Sequence, residues 1–320
     1  MNTLYTYLEN HNMNAQKAHH IGTKGQQWAE RERRQWLEEQ SIKRSYHEEV
    51  VRKLEQIQIS DSPFTVEKYS ALRFQPQRYP LFVVKNAHHI DKPTALITGG
   101  VHGYETSGVQ GALNFLDSEA ALYSDEFNLV VAPCISPWAY ETINRWNPYA
   151  IDPNRSFVAD SPADESASLM AMIKTLNTKI HVHIDLHETT DTDNTEFRPA
   201  LSARDNQHHD FWEIPDGFYL VGDSNNPCDD FQHHIIESVS DVTHIAPSDA
   251  RGRIIGEPIS QHGVINYPTE ALGLCTGFTQ ARFNTTTEVY PDSPIVDAQN
   301  CILAQVTAAC SALDFAARFN

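Results

Sequence analysis

One short stretch of this sequence carries two side chains that could bind a metal ion. In LITGGVHGYETSG, His102 and Glu105 stand three residues apart, directly after an apolar run that ends in two glycines. This pattern is typical of a loop at the carboxyl end of a strand, where open α/β sheets bind their ligands. The glycines allow the backbone to turn sharply enough to direct both side chains to one point.

A second stretch supplies a further ligand. In IHVHIDLHETTD, apolar residues alternate with four polar ones, His181, His183, Asp185 and His187. Because strand side chains alternate between faces, these four share one face. His187 lies nearest the carboxyl end and is the predicted ligand, whereas His181 and His183 are expected to be hydrogen-bonded histidines of the core or edge. Asp185 could support His187, or it could be an ordinary buried acceptor.

Two imidazoles and one carboxylate are the ligand set of a catalytic zinc, because a fourth position stays open for water. Zinc lowers the pKa of that water and polarises a carbonyl oxygen. Amide hydrolysis also needs a carboxylate that takes the proton from water and passes it to the leaving amine. Glu270, in INYPTEALG, follows an apolar strand candidate, and we predict that it is this general base. The alternative interpretation is a surface glutamate.

The order of the motifs His-x-x-Glu, AIDPNRSF, DLHETT and TEALG resembles that of the M14 zinc carboxypeptidase superfamily. The resemblance extends from about Phe64 to the C-terminus. It implies that zinc is bound by His102, Glu105 and His187 and that the base is Glu270. One zinc ion is therefore expected.

The same resemblance gives roles to residues between the ligand motifs. Asn154 and Arg155 are expected to hold a substrate carboxylate, because a guanidinium can bind it through two hydrogen bonds. Arg145, ten residues before Arg155, is expected to stabilise the oxyanion. Asp152 is expected to fix the tautomer of His102, with an unpaired loop aspartate as the alternative.

Two branches of the superfamily compete. The motifs GGVHGYE, SPWAY followed by NRW, and DLHETT resemble the succinylglutamate desuccinylase and aspartoacylase branch, which deacylates small N-acyl amino acids. The strand-rich segment that begins at Phe64 and the helix at the C-terminal end resemble those of a carboxypeptidase domain. We therefore predict a zinc metallopeptidase of carboxypeptidase type, with a deacylase as the alternative. A catalytically dead module that binds carboxylates is the rival from a different functional class.

The substrate is expected to be a small peptide or an N-acyl amino acid with a free carboxylate. Tyr267 and Tyr219 are available to contact that carboxylate, but the motifs select neither. The loop TTDTDNTEFRP after His187 is acidic. It could bind a second metal, repel acidic substrates, attract a basic group or simply be solvated.

The elements that position these residues follow from local patterns. Strands are predicted in FTVEKYSALRF, YPLFVVKN, TALITGG, NLVVAPCI, IHVHIDLHE and GVINYPTEAL. Helices are predicted in Ser107–Leu116, ESASLMAMIKTLNTK and VDAQNCILAQVTAACSALDFAARF. Strands that alternate with helices predict an α/β fold, in which helices flank a mixed, largely parallel central sheet.

Residues 1–60 are predicted to form an N-terminal helical arm, and residues 61–320 the carboxypeptidase-like catalytic domain. From Thr23 to Gln58 the arm is polar, with apolar residues at helical spacing. The arm could regulate or dimerise the protein. A helix packed on the core through its apolar stripe is the favoured interpretation.

The composition excludes several kinds of partner. Twenty-four basic against forty-two acidic residues give a net charge of −18, which disfavours nucleic acids and anionic membranes. The first thirty residues contain no apolar run typical of a secretory signal, so we expect a cytoplasmic protein. The five scattered cysteines form no Cys-x-x-Cys pair and are expected to be reduced thiols. The oligomeric state stays open.

Overall fold

The computed structural model describes residues 19–59 and 62–319. The chain divides into two compact units. Of the described residues, the small unit comprises 19–39 and 191–212, and the main unit comprises 40–59, 62–190 and 213–319. The main unit contains every predicted site residue.

The described residues form a ten-stranded mixed sheet. Its strands are β1 Thr65–Ala71, β2 Pro80–Lys85, β3 Thr94–Gly99, β4 Asn128–Ala132, β5 Ile180–Glu188, β6 Tyr219–Asp223, β7 Arg253–Ile254, β8 Glu257–Gln261, β9 Val264–Tyr267 and β10 Phe283–Val289. They lie in the order β1-β2-β4-β3-β5-β10-β6-β9-β8-β7. The predicted fold class is confirmed, since the central strands β4, β3, β5 and β10 run parallel and antiparallel pairs lie towards both edges.

The central strands are buried along their whole length in β3 and β4, and almost wholly in β5. The near-continuous apolar composition of β3 and β4 is typical of parallel strands that helices cover on both faces. Because β3, β5 and β10 run in the same direction, their carboxyl ends meet at one edge of the sheet. The loops after β3 and β5 therefore meet at that edge.

The helices are α1 Glu30–Glu38, α2 Arg52–Ile59, α3 Thr106–Ser118, α4 Pro137–Thr142, α5 Asp164–Thr175, α6 Arg198–Asp205, α7 Asp229–Ser240 and α8 Ala298–Ala317. A π-helical turn, His47–Val51, precedes α2, and another, Asp193–Phe197, precedes α6. Short 3₁₀ segments are Ala120–Tyr123, Pro153–Arg155 and Cys275–Phe278. By length and composition α8 could cross a membrane, but 67% of its apolar window is buried in the protein, against α3, α7 and β10.

The described part of the N-terminal arm contains α1, the π-helical turn His47–Val51 and α2, so it is partly helical, as predicted. Most of its apolar stripe is buried: Trp28, Trp36, Tyr46, Val50, Leu54 and Ile57. Within the main unit, α2 packs against β1 and α3, which fits the favoured interpretation of a helix packed on the core. The predicted domain boundary at residue 60 stays a prediction. All five cysteines are free thiols.

Candidate active site

The loop that carries the first two predicted ligands leaves β3 through Gly100, whose φ of 62° lies in the left-handed region that favours glycine. Gly103 then packs directly on the backbone of α4. A Cβ atom at Gly103 would lie 2.0 Å from the carbonyl carbon of Ala139. Only glycine allows this approach, so α4 fixes the path of the loop between His102 and Glu105.

The structure brings the three predicted metal ligands together. His102, Glu105 and His187 are 2%, 1% and 1% exposed, and one ligand atom from each lies within 4.8 Å of the others. The two oxygens of Glu105 face different imidazoles. Oε1 lies 2.8 Å from Nδ1 of His102, and Oε2 lies 2.7 Å from Nδ1 of His187. Both Nδ1 atoms therefore point to the same small volume.

The Nε2 atoms of the two imidazoles lie beside Asp152 and Asp185, the aspartates that were predicted to support them. Nε2 of His102 lies 2.9 Å from Oδ1 of Asp152, and Nε2 of His187 lies 2.7 Å from Oδ2 of Asp185. A carboxylate at Nε2 keeps the proton on that nitrogen and leaves the Nδ1 lone pair for a metal. The donor set therefore fits a divalent metal such as zinc, with two imidazoles, one carboxylate and an outer aspartate behind each imidazole.

Positively charged neighbours stabilise the carboxylates of the cluster. Burial would raise the pKa of Glu105, but the adjacent His187 and His102 outweigh it and lower this pKa to about 2. Burial likewise opposes ionisation of Asp152, yet Arg145 and His102 hold its pKa well below the usual range. Both carboxylates are thus ionised at neutral pH in a buried place, where negative charge needs a positive partner.

Arg145 lies beside this cluster. Its Nε donates to Oδ2 of Asp152 at 3.1 Å, and its Nη1 donates to the hydroxyl of Tyr104 at 3.4 Å. The backbone N–H of Asn154 donates to the other oxygen of Asp152. A guanidinium is therefore held next to the aspartate behind His102, and its role towards an oxyanion stays a prediction.

Asn154 and Arg155 lie in different environments. The side chain of Asn154 is buried; its Oδ1 accepts the backbone N–H of Cys275 at 2.8 Å, and its Nδ2 lies 3.5 Å from Nε2 of His187. Arg155 is exposed by surface area, although the surrounding protein lowers the pKa of its guanidinium by burial; its Nη1 donates to the backbone oxygen of Asn154 at 2.7 Å, and Asp152 and Glu288 lie within electrostatic range. Asn154 thus fixes neighbouring segments, whereas Arg155 is accessible to a substrate.

Glu270 lies in the turn after β9, where its side chain is exposed. Its Oε1 accepts a hydrogen bond from Nε2 of Gln280 at 3.2 Å. The described hydrogen bonds and ion pairs do not connect its carboxylate to the three metal ligands. Its role as the base stays a prediction.

Glu288, which the sequence patterns did not single out, lies directly beside the third ligand. It pairs with His187 in the parallel β5–β10 register, so both side chains point to the same face of the sheet. Its Oε2 accepts a hydrogen bond from Oγ1 of Thr189 at 2.9 Å, and it interacts electrostatically with Arg155. A half-buried carboxylate therefore lies beside the ligand cluster and within electrostatic range of the exposed arginine.

Two supporting residues were also missed. Thr98 on β3 donates through Oγ1 to Oδ1 of Asp185 at 2.6 Å, which fixes the aspartate behind His187. Glu188 accepts the backbone N–H groups of Thr106 and Ser107 at 3.1 and 2.6 Å, at the N-terminus of α3. The carboxylate of Glu188 therefore links the end of β5 to the loop of Glu105. In the sequence, the signal for Glu188 is its place directly after His187 in the motif DLHE.

The acidic loop after His187 continues into a π-helical turn, Asp193–Phe197, and into α6. Across the part of the chain that the structure describes, the group able to hold a metal is His102, Glu105 and His187, and the acidic loop forms no second one.

Comparison with known proteins places these motifs in a wider group. Residues 91–220 match the succinylglutamate desuccinylase/aspartoacylase catalytic domain family. This range includes the three ligands, Arg145 and the segment from Asp152 to Arg155. No curated protein is significantly similar in sequence to the whole chain.

Several solved structures share the fold at low sequence identity. A proposed metallopeptidase from Shewanella amazonensis has a TM-score of 0.62 and 19% identity, over 84% of this chain and 91% of that chain. A metallo-carboxypeptidase from Burkholderia cenocepacia has a TM-score of 0.59 and 12% identity, over 84% and 69%. A metallo-carboxypeptidase from Pseudomonas aeruginosa has a TM-score of 0.55 and 14% identity, over 83% and 67%.

Proposed function

We propose that this chain is a zinc-dependent hydrolase of carboxypeptidase type. The matches confirm its resemblance to the M14 zinc carboxypeptidase superfamily, with the desuccinylase/aspartoacylase branch. The chain would cleave an amide bond next to a free carboxylate. The observation that carries the proposal is the buried convergence of His102, Glu105 and His187, with an exposed arginine nearby.

His102 and His187 would hold the zinc through Nδ1, and Glu105 would hold it through its carboxylate. Zinc at this position supplies Lewis-acid chemistry, because it polarises a carbonyl oxygen and makes water a stronger nucleophile at neutral pH. The aspartates behind the imidazoles keep Nε2 protonated and the rings oriented. Arg145, which is hydrogen-bonded to Asp152 behind His102, would stabilise negative charge on the carbonyl oxygen.

The proton of the attacking water needs a carboxylate acceptor within hydrogen-bond reach. We assign this role to Glu288 in place of Glu270, because Glu288 pairs in register with His187 and shares its face. Glu270 instead lies on an exposed turn and is hydrogen-bonded to Gln280. Glu288 would accept the proton from water and then donate it to the leaving amine as the C–N bond breaks.

We assign to Arg155 the role of binding the substrate carboxylate. This guanidinium is exposed and lies near Tyr267, one of the two tyrosines that the sequence offered for such a role. The Pseudomonas aeruginosa metallo-carboxypeptidase was solved in complex with (2-guanidinoethylmercapto)succinic acid, a ligand that contains carboxylates. A carboxylate-bearing substrate is consistent with that ligand.

Replacing Arg155 with Gln is expected to raise KM for substrates with a free carboxylate by about 10- to 100-fold. A hydrogen bond to a charged group contributes about 1.5–3 kcal/mol, and each 1.4 kcal/mol is about tenfold. Steady-state kinetics on one peptide with a free and with an amidated C-terminus measure the effect. The peptide with the free C-terminus should then no longer have a lower KM than the amidated peptide. Arg251→Gln, which changes an exposed arginine elsewhere, should leave KM unchanged, and an unchanged KM in Arg155→Gln would remove this assignment.

A deacylase of N-acyl amino acids is the second candidate, favoured by the family match over residues 91–220. A substrate panel separates the two. The zinc-loaded protein is assayed on dipeptides and tripeptides with free C-termini, and on N-acetyl-aspartate and N-succinyl-glutamate, with a chelated sample as the control. Release of a C-terminal residue supports the carboxypeptidase, and selective cleavage of the acylated amino acids supports the deacylase. Inactivity on both, with zinc bound, would favour the binding module.

A further inference from the structure

Arg44, in the N-terminal segment of the main unit, is half-buried and makes three side-chain hydrogen bonds of 2.7 Å. Its Nε donates to the backbone oxygen of Tyr140, its Nη1 to Oγ1 of Thr106 and its Nη2 to the backbone oxygen of Gly103. The guanidinium also lies over the ring of Tyr140, 3.5 Å from its centroid. Each of its three nitrogens therefore has a defined acceptor.

Two of these acceptors flank the metal ligands. Gly103 follows His102 directly, and Thr106 follows Glu105 directly. The guanidinium thus bridges Gly103 and Thr106, which enclose Glu105 and begin directly after His102. A planar group with donors in a fixed fork is suited to hold two points of a loop at a set distance, which a lysine ammonium is not.

Arg44 is itself held in place by its neighbours along the chain. The backbone N–H groups of Lys43 and Arg44 donate to the backbone oxygen of Glu141 at 2.8 and 3.2 Å. The N–H of Tyr46 donates to Oε1 of Glu141, and Oε2 of that buried carboxylate accepts from Arg78. The segment that carries Arg44 is therefore fixed to α4, the same helix on which Gly103 packs.

The ligand loop is consequently restrained from several sides. The backbone of α4 supports Gly103, and Glu188 holds the N–H groups of Thr106 and Ser107. The backbone N–H of Tyr104 donates to the backbone oxygen of Asn144, and Arg44 holds the carbonyl of Gly103 and the hydroxyl of Thr106. Without Arg44, both of its acceptors lose a charged donor, and the spacing of His102 and Glu105 is free to relax.

We propose that Arg44 is a positioning residue of the metal centre, so that the N-terminal segment completes the site instead of being an appendage. Arg44 acts through the loop and contacts neither the metal nor the substrate. This inference rests on the proposed function only for the presence of a metal at His102, Glu105 and His187.

The test uses the full chain with Arg44→Gln and Arg44→Lys. Lys53→Gln is the matched control, because Lys53 on the same segment donates to Gln110 of α3 at 2.6 Å but not to the ligand loop. Zinc affinity is measured by competition with a chromophoric chelator, without substrate. The visible absorption of bound Co²⁺ reports ligand geometry, and the thermal midpoint of the metal-free protein reports folding.

Arg44→Gln is expected to weaken zinc binding by about 10- to 100-fold, the range for outer-sphere partners of metal ligands, and to change the Co²⁺ spectrum. Arg44→Lys should recover only part of the zinc affinity. If Arg44→Gln does not fold, the zinc affinity of Arg44→Lys is compared with that of wild type instead. Lys53→Gln should bind zinc within twofold of wild type. Wild-type affinity in a folded Arg44 variant, or an equal loss in Lys53→Gln, would overturn the inference. Failure of the proposed function would show separately, as zinc-loaded wild type that cleaves no member of the substrate panel.

Discussion

Glu288→Gln is expected to remove nearly all hydrolytic turnover while zinc binding stays close to that of wild type. An amide has nearly the shape of a carboxylate but cannot accept the proton of the attacking water. General acid–base catalysis contributes roughly 10²–10⁴-fold, so kcat should fall by at least that range. Glu288 pairs in register with His187 but is not among the three ligands, so the metal should stay bound.

Glu270→Gln is the matched variant, because both positions were candidates for the same role and receive the same change. We expect it to keep most of the turnover, since its side chain is exposed and hydrogen-bonded to Gln280. Single-turnover kinetics on the substrate found in the panel, with zinc content measured in parallel, compare the two variants. The reverse result, an inactive Glu270→Gln and an active Glu288→Gln, would return the role of base to Glu270.

The position of Glu288 was missed because β10 does not have an apolar pattern. Its sequence FNTTTEV contains three threonines, which count as polar by composition. Threonine is nevertheless β-branched and favours strands. All three threonines of β10 are buried in the centre of the sheet, and Thr285 and Thr287 satisfy their hydroxyls with Gln232 and Gln305. These partners come from α7 and α8, so the sequence around β10 could not reveal them.

The ligand trio was predictable for a different reason. β3 is an apolar run that ends just before His102, and in β5 alternating apolar residues identify a strand whose polar face ends at His187. The rule that parallel strands end at one edge then brings His102, Glu105 and His187 together without knowledge of the register. The pairing of Thr98 with Asp185 fixes the second imidazole, and it depends on the β3–β5 register, which the sequence does not give.

The residues that restrain the ligand loop were the least predictable. Arg44 precedes Gly103 by 59 residues and lies in a polar segment where an arginine is expected to be solvated. Its role depends on the close packing of Gly103 on α4, which brings three acceptors within reach of one guanidinium. Local patterns predict which side chains can bind a metal, whereas long-range packing determines what holds them.

The second large effect is expected for His187→Ala, which should abolish stoichiometric zinc binding and, with it, hydrolysis. The change removes one of three ligands, so zinc affinity should fall by more than the roughly 10- to 100-fold typical of outer-sphere partners. It also leaves Asp185 and Glu105 without the imidazole between them. Removing one partner of a buried ion pair costs about 3–5 kcal/mol, so the metal-free variant should also unfold at a lower denaturant concentration than wild type.

His183→Gln is the control for this change, because His183 lies on the same face of β5 and is buried but is not a ligand. It is hydrogen-bonded to Thr98 and Thr279, so its loss should lower stability and leave one zinc per chain. Metal content after dialysis, together with urea unfolding of the metal-free proteins, separates the two effects. If His187→Ala retained one tightly bound zinc, the metal would be held elsewhere and the ligand assignment would fall. If both variants lost zinc equally, general weakening of β5 would explain the loss, because His183 has no ligand atom to remove.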